Sequence, residues 1–154
     1  MHNRSAPAGD IFPSLIYADV AKAAGWLCHV FGFRERLRVT NQDGAVGHVQ
    51  LAIGQSGIML SPPKQGQSPS WDDPANFRPP RPNEASLSLT IRVDDVDRHY
   101  QIARERGARI LHPPATYPFG ERQYSAEDPE GYRWSFTQSV ADVNPADWGA
   151  TVVK

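Results

Sequence analysis

The sequence predicts an α+β protein made of two tandem βαβββ modules. Three observations carry that prediction. Prolines crowd into one stretch near the middle of the chain. A short apolar strand running into an Asp-led helix occurs once on either side of that stretch. Each such helix is followed by three further strand-like runs. An offset of about 75 residues between the two copies marks an internal duplication.

Ile11 to Tyr17 is the first apolar stretch, and it runs into Asp19, a residue suited to capping a helix N-terminus. Val20, Ala23, Ala24, Leu27 and Phe31 then recur at helical spacing and stop at Gly32, so one stripe is buried. Strands follow at Phe33–Thr40, His48–Ile53 and Ile58–Ser61, separated by turns at Asn41–Gly44 and Gly54–Gly57. The segment Ser61 to Asn83 holds Pro62, Pro63, Pro69, Pro74, Pro79, Pro80 and Pro82, a density that no helix or ladder strand survives. The expected division is module one over 11–61, a Pro-rich linker over 62–84, module two over 85–138, and a C-terminal tail over 139–154, with 11–138 forming a single domain.

In the second copy Leu87, Leu89, Ile91 and Val93 alternate with Ser86, Ser88, Thr90 and Arg92, the pattern of a strand with one apolar and one polar face. Asp95 caps the next helix, whose stripe is Val96, Tyr100 and Ala103, ending at Gly107. Ala108–Leu111 reads as a strand, and His112 to Gly120, with Pro113, Pro114 and Pro118, as a loop. Arg122–Glu127 and Tyr132–Gln138 are strands joined by Asp128-Pro129-Glu130-Gly131, which places Pro and Gly where a type I turn takes them.

Composition narrows the function. The chain has 154 residues, of which 40% are hydrophobic, enough for a packed core. Its 16 Lys+Arg balance 17 Asp+Glu, which removes the electrostatic reason to expect nucleic acid or an anionic membrane as partner. No apolar run is long enough to span a bilayer, and Met1–Asp10 is too polar for a signal peptide. The one cysteine, Cys28, excludes a disulfide framework and fits a reducing, cytoplasmic setting.

Asp19-Val20, Asp95-Val96, Phe31-Gly32-Phe33, Ile58-Met59-Leu60-Ser61 and above all the stretch Arg122 to Phe136 around Asp-Pro-Glu-Gly carry a resemblance. Over about Ile11 to Gln138 the chain resembles the glyoxalase/bleomycin-resistance/dioxygenase group, the vicinal oxygen chelate superfamily. The resemblance implies two modules with curled sheets enclosing a cavity, often completed by a second subunit, so a homodimer is expected. Metal-dependent members carry His, Gln or Glu ligands on the first, fourth, fifth and eighth strands. Those places correspond here to Phe12, Met59, Ser88 and Ser135, and same-face neighbours add Ser14, Ser61, Ser86, Thr90, Arg133 and Thr137. None of these supplies the carboxylate or imidazole that a divalent ion needs. No metal and no cofactor are therefore expected, and no catalytic residue is assigned.

The expected activity is metal-independent binding or sequestration of a small hydrophobic or aromatic molecule, as in bleomycin-resistance-type proteins. The candidate ligand-binding residues are Phe12, Ser14, His48, Met59, Ser88, Thr90, Tyr117, Phe119, Arg122, Tyr124 and Ser135. Tyr117 and Phe119 either line the pocket or plug its mouth, and Tyr124 either lines it or packs in the core. Trp134 and Phe136 share the face opposite Ser135 and are expected beneath the helices. His29 and His99 are expected on helix surfaces, Cys28 as inert, and Arg92 and Arg133 either as rim residues or as holders of an anionic or carbonyl group. Trp71 and Phe77 are expected to pin the linker to the body. The competing reading is a lyase, isomerase or dioxygenase of the same superfamily. Its displaced metal would be held by His48, Gln50 and Glu84 or Glu121. A third is a ligandless dimerisation module.

Overall fold

Both helices begin at an aspartate because four backbone N–H groups at a helix start lack partners. In the computed structural model, which describes residues 5–7, 9–63 and 78–153, Asp19 accepts a hydrogen bond from the Lys22 amide at 3.0 Å. Asp95 accepts one from the Arg98 amide at 2.9 Å. The chain divides into two compact units, Met1–Asn83 and Glu84–Lys154. Trp71 and Phe77 lie outside the described residues.

The first unit contains β1 (Ser14–Ile16), α1 (Val20–Phe31), β2 (Arg34–Thr40), β3 (Val46–Ile53) and β4 (Ser56–Ser61). Its sheet has the order β1-β4-β3-β2, with β1 parallel to β4 and the other pairs antiparallel. Helix α1 ends where Gly32 turns left-handed at φ 80°, a conformation that a side chain resists. It lays Val20, Ala23, Ala24, Leu27, Val30 and Phe31 on one face of the sheet, whose buried Leu15, Val49, Leu51, Ile58 and Leu60 complete the core.

The second unit repeats the plan with β5 (Ser88–Arg92), α2 (Val96–Glu105), β6 (Arg109–Thr116), β7 (Glu121–Glu127) and β8 (Arg133–Ser139). The order is β5-β8-β7-β6, again with one parallel pair, β5 and β8. Val96 and Ala103 of α2 pack over Tyr124, Ala126, Trp134 and Phe136, all at most 1% exposed. A single 3-10 turn, Pro145–Trp148, follows β8. The two four-stranded sheets, each with one helix, confirm the α+β class and the duplicated order. Among the described residues no helix is long and apolar enough to cross a membrane.

Three expectations need correction. The first strand is short, so Phe12 falls before β1 rather than in it. The segment expected as a proline loop is mostly strand: β6 runs through Pro113 and Pro114 to Thr116. This is possible because β6 is an edge strand pairing only with β7, and register shifts around His112 absorb the missing donors. His99 is not a surface residue. It is half-buried, its ring centroid lies 4.3 Å from that of Phe136, and its Nδ1 shares a 2.7 Å hydrogen bond with the Tyr124 hydroxyl.

The Asp128 turn joins β7 to β8. Asp128 is 4% exposed, and its carboxylate accepts bonds from the Glu130 and Tyr132 amides and, at 3.0 Å, from the Trp134 indole N–H. One carboxylate therefore shapes the turn and anchors the largest core side chain. Replacing Asp128 with Ala strands those donors, and urea denaturation is expected to show a loss of about 2–4 kcal/mol.

Candidate functional site

Each sheet has one face under its helix, and the register shows what the other face carries. Side chains alternate sides along a strand, and directly paired residues share a side. In the second unit the pairings Thr90–Ser135, Ser125–Ser135, Ser88–Arg133 and Gln123–Thr137 place these residues together, opposite Trp134 and Phe136. The Ser125 and Ser135 hydroxyls are 3.2 Å apart, and the Gln123 amide donates to Thr137 at 3.1 Å. Thr137 and Ser139 both donate to the carboxylate of Glu121, which also faces Arg92 at 3.8 Å. Those two hydroxyls, Ser139 foremost, hold the Glu121 carboxyl below the usual carboxylate range. The register thus brings Ser88, Thr90 and Ser135 onto one face.

In the first unit the same logic puts Ser14, Met59, Gln50 and His48 on the face away from α1, through the pairings Ser14–Met59 and Gln50–Met59. The His48 ring bridges Ser61, 3.3 Å from Nδ1, and the Gln50 amide, 3.2 Å from Nε2. Gln50, only 2% exposed, accepts from the Arg36 guanidinium and donates to the Ser5 carbonyl at 2.7 Å. Buried Pro7 lies against Gly57, where an added Cβ would come within 2.6 Å of it. The N-terminal segment around Ser5 and Pro7 therefore covers part of this face. The sequence offers Gln50 only as a displaced metal ligand; its burial depends on a segment far away in sequence, and no local pattern signals that.

Several candidates stand elsewhere. Tyr124 is in the core: it is 1% exposed, lies on the helix-covered side and stacks on Phe136 with centroids 5.0 Å apart. Burial pushes its hydroxyl pKa strongly up. Arg122 shares that side and grips Asp97 of α2 through two bonds, at 2.9 and 2.7 Å, so it ties the helix to the sheet. Tyr117 and Phe119 stack at 5.3 Å in the β6–β7 turn, and Phe119 meets Trp148 of the C-terminal tail edge-on at 5.8 Å. Burial raises the Cys28 thiol, with Glu35 adding to the effect, which makes it a poor nucleophile.

Of the four places that the resemblance aligns with metal ligands, Phe12 lies ahead of β1, whereas Met59, Ser88 and Ser135 stand in β4, β5 and β8 and offer a thioether and two hydroxyls. A guanidinium already occupies the carbonyl oxygen of Gln50, and hydroxyls occupy both oxygens of Glu121. Among the described residues no three His, Cys, Asp or Glu side chains come together.

A family model described as the Glyoxalase/Bleomycin resistance protein/Dioxygenase superfamily matches residues 11–136. The chain belongs to that superfamily. The uncharacterized protein Rv0887c of Mycobacterium tuberculosis is 28% identical over 132 residues, 86% of this chain and 75% of its own. The crystal structure of TioX from Micromonospora sp. ML1 superposes with a TM-score of 0.68 at 30% identity, covering 85% of this chain and 99% of TioX. A glyoxalase/bleomycin resistance protein from Streptomyces sp. CB03234 has the same fold, with a TM-score of 0.60 at 24% identity over 86% of this chain and all of its own.

Two outcomes test this geometry. Gln50→Ala is expected to cost about 1–3 kcal/mol in urea denaturation and to speed amide exchange around Ser5 and Pro7. The Glu121 carboxyl is depressed in the folded state, so its contribution is fully present above the unfolded carboxylate pKa and is lost as pH falls through the folded value. Glu121→Gln is therefore expected to flatten the acid limb of a stability–pH profile and to leave its slope near neutrality unchanged.

Proposed function

We propose that this superfamily member binds a small molecule without a metal and makes or breaks no bond in it. The observation that carries the reading is the chemistry of the open faces. The places that the resemblance aligns with metal ligands carry Phe12, Met59, Ser88 and Ser135, none of them a carboxylate or an imidazole. Taken separately, the first unit's face offers Met59, Ile16 and Leu37, which suit an apolar or aromatic body, and the second unit's offers Ser88, Thr90, Ser125 and Ser135. The first face by itself suits an apolar or aromatic ligand, and the second by itself one with hydrogen-bonding substituents. A homodimer is part of the proposal, supported by the resemblance, and sedimentation analysis tests it.

A thermal-shift screen of aromatic antibiotics, divalent metals and small carbonyl compounds, on protein purified without chelators, tests the function. A ligand at 100-fold its Kd stabilises the native state by about 2.7 kcal/mol. The expected result is a rise in Tm with an aromatic compound, reduced by the double substitution Thr90→Val and Ser135→Ala, and no rise with metals. A stoichiometric divalent ion that supports turnover would overturn the proposal.

A further inference from the structure

The N-terminal segment crosses the open face of the first unit without joining its sheet. Leu37, Gln50, Met59 and Ser14 stand in one row across β2, β3, β4 and β1, each paired with the next. The Ser5 carbonyl caps the middle of that row, accepting a hydrogen bond from the Gln50 amide at 2.7 Å. Pro7 is buried over Gly57, which pairs with Ala52, two places along β3 from Gln50 and so on the same side. Gly57 leaves the room that Pro7 fills: a Cβ there would come within 2.6 Å of the proline Cβ and 3.1 Å of the Leu51 carbonyl oxygen. Gly9 follows at φ 101°, in the left-handed region, and turns the chain between this contact and β1.

This contact takes the place that an apolar ligand needs. The half-buried Leu37 and Met59 flank Gln50 in the row, so an aromatic body laid across both has to pass over Gln50, where Ser5 stands. Displacing Ser5 strands the buried Gln50 N–H unless the newcomer brings its own acceptor. The segment can leave without breaking a pairing among β1 to β4, because β1 begins only at Ser14 and Pro7 has no N–H to give to a ladder. We infer that the segment around Ser5 and Pro7 is an autoinhibitory strap, which holds the ligand's place on the first unit's open face and is displaced when the ligand binds. This rests on the binding function proposed above. It adds the chemistry that opens the face, an aromatic body carrying a carbonyl-type acceptor in place of that of Ser5.

The test titrates acetophenone, an aromatic ring with one carbonyl acceptor, into the full chain and into its Pro7→Ser variant, followed by NMR. In the ligand-free wild type a nuclear Overhauser effect between the Pro7 ring and the Gly57 α-protons is expected, and it is expected to vanish as the probe saturates the face. Pro7→Ser puts a hydroxyl where the buried ring was and loosens the strap. It is expected to tighten acetophenone binding by about threefold to tenfold, because the fraction of chains with an open face rises by that factor. If Pro7→Ser does not fold, the wild-type measurement decides. An Overhauser effect that persists at saturation, or equal affinities of the two chains, overturns the inference and leaves the binding function standing. Absence of binding to both chains at the solubility limit of the probe also overturns it, and the thermal-shift screen then decides the binding function separately.

Discussion

A four-stranded sheet covered by a single helix can bury only one of its faces, and everything else in this protein answers to that constraint. Successive residues of a strand point to opposite sides, so half of each strand must be apolar and the other half must survive without a helix over it. The covered halves are filled in the usual way, by Leu15, Val49, Leu51 and Leu60 under α1 and by Tyr124, Ala126, Trp134 and Phe136 under α2. The uncovered halves are where the two units diverge. The first is mixed and partly covered by its own N-terminal segment; the second is a stripe of hydroxyls and charges.

Polar groups on these faces are tied down in distinct ways, with different consequences. Gln50 is buried and spends its amide on Arg36, His48 and the Ser5 carbonyl, so it behaves as structure. Glu121 spends both oxygens on Ser139 and Thr137, which orders that end of the sheet and holds the carboxylate ionised. Asp128 sits outside this economy, in a turn, where three N–H donors converge on it. In this setting the exposed hydroxyls of Ser88 and Thr90 stand out among the described residues as groups with capacity left for something else.

The fold was legible because its signals are local and repeated. Asp19 and Asp95, Gly32 and Gly107, the alternation along Ser88–Arg92 and the Asp-Pro-Glu-Gly turn each act within a few residues, and each recurs or has a counterpart in the other half. The misreading of His112–Thr116 shows the limit. Two adjacent prolines forbid a central strand and permit an edge strand, and edge status is a property of the assembled sheet.

The candidate site was legible in part, for a related reason. Period-2 alternation alone puts Ser135 opposite Trp134 and Phe136, so the hydroxyl face followed from the amino-acid order. Where residues of one strand meet those of another is decided by register, helix docking and tail packing, and none of these is written locally. That is why Tyr124 proved to be a core residue held by His99, why Arg122 is spent on Asp97, and why Phe119, with Tyr117 stacked on it, meets Trp148. By itself the sequence determined the duplicated architecture and the two-faced strands, because capping, turn chemistry and alternation are short-range. Only the tertiary structure decided which polar groups are satisfied and by what, as Gln50 is by Arg36 and the Ser5 carbonyl, because satisfaction depends on partners that sequence distance does not reveal.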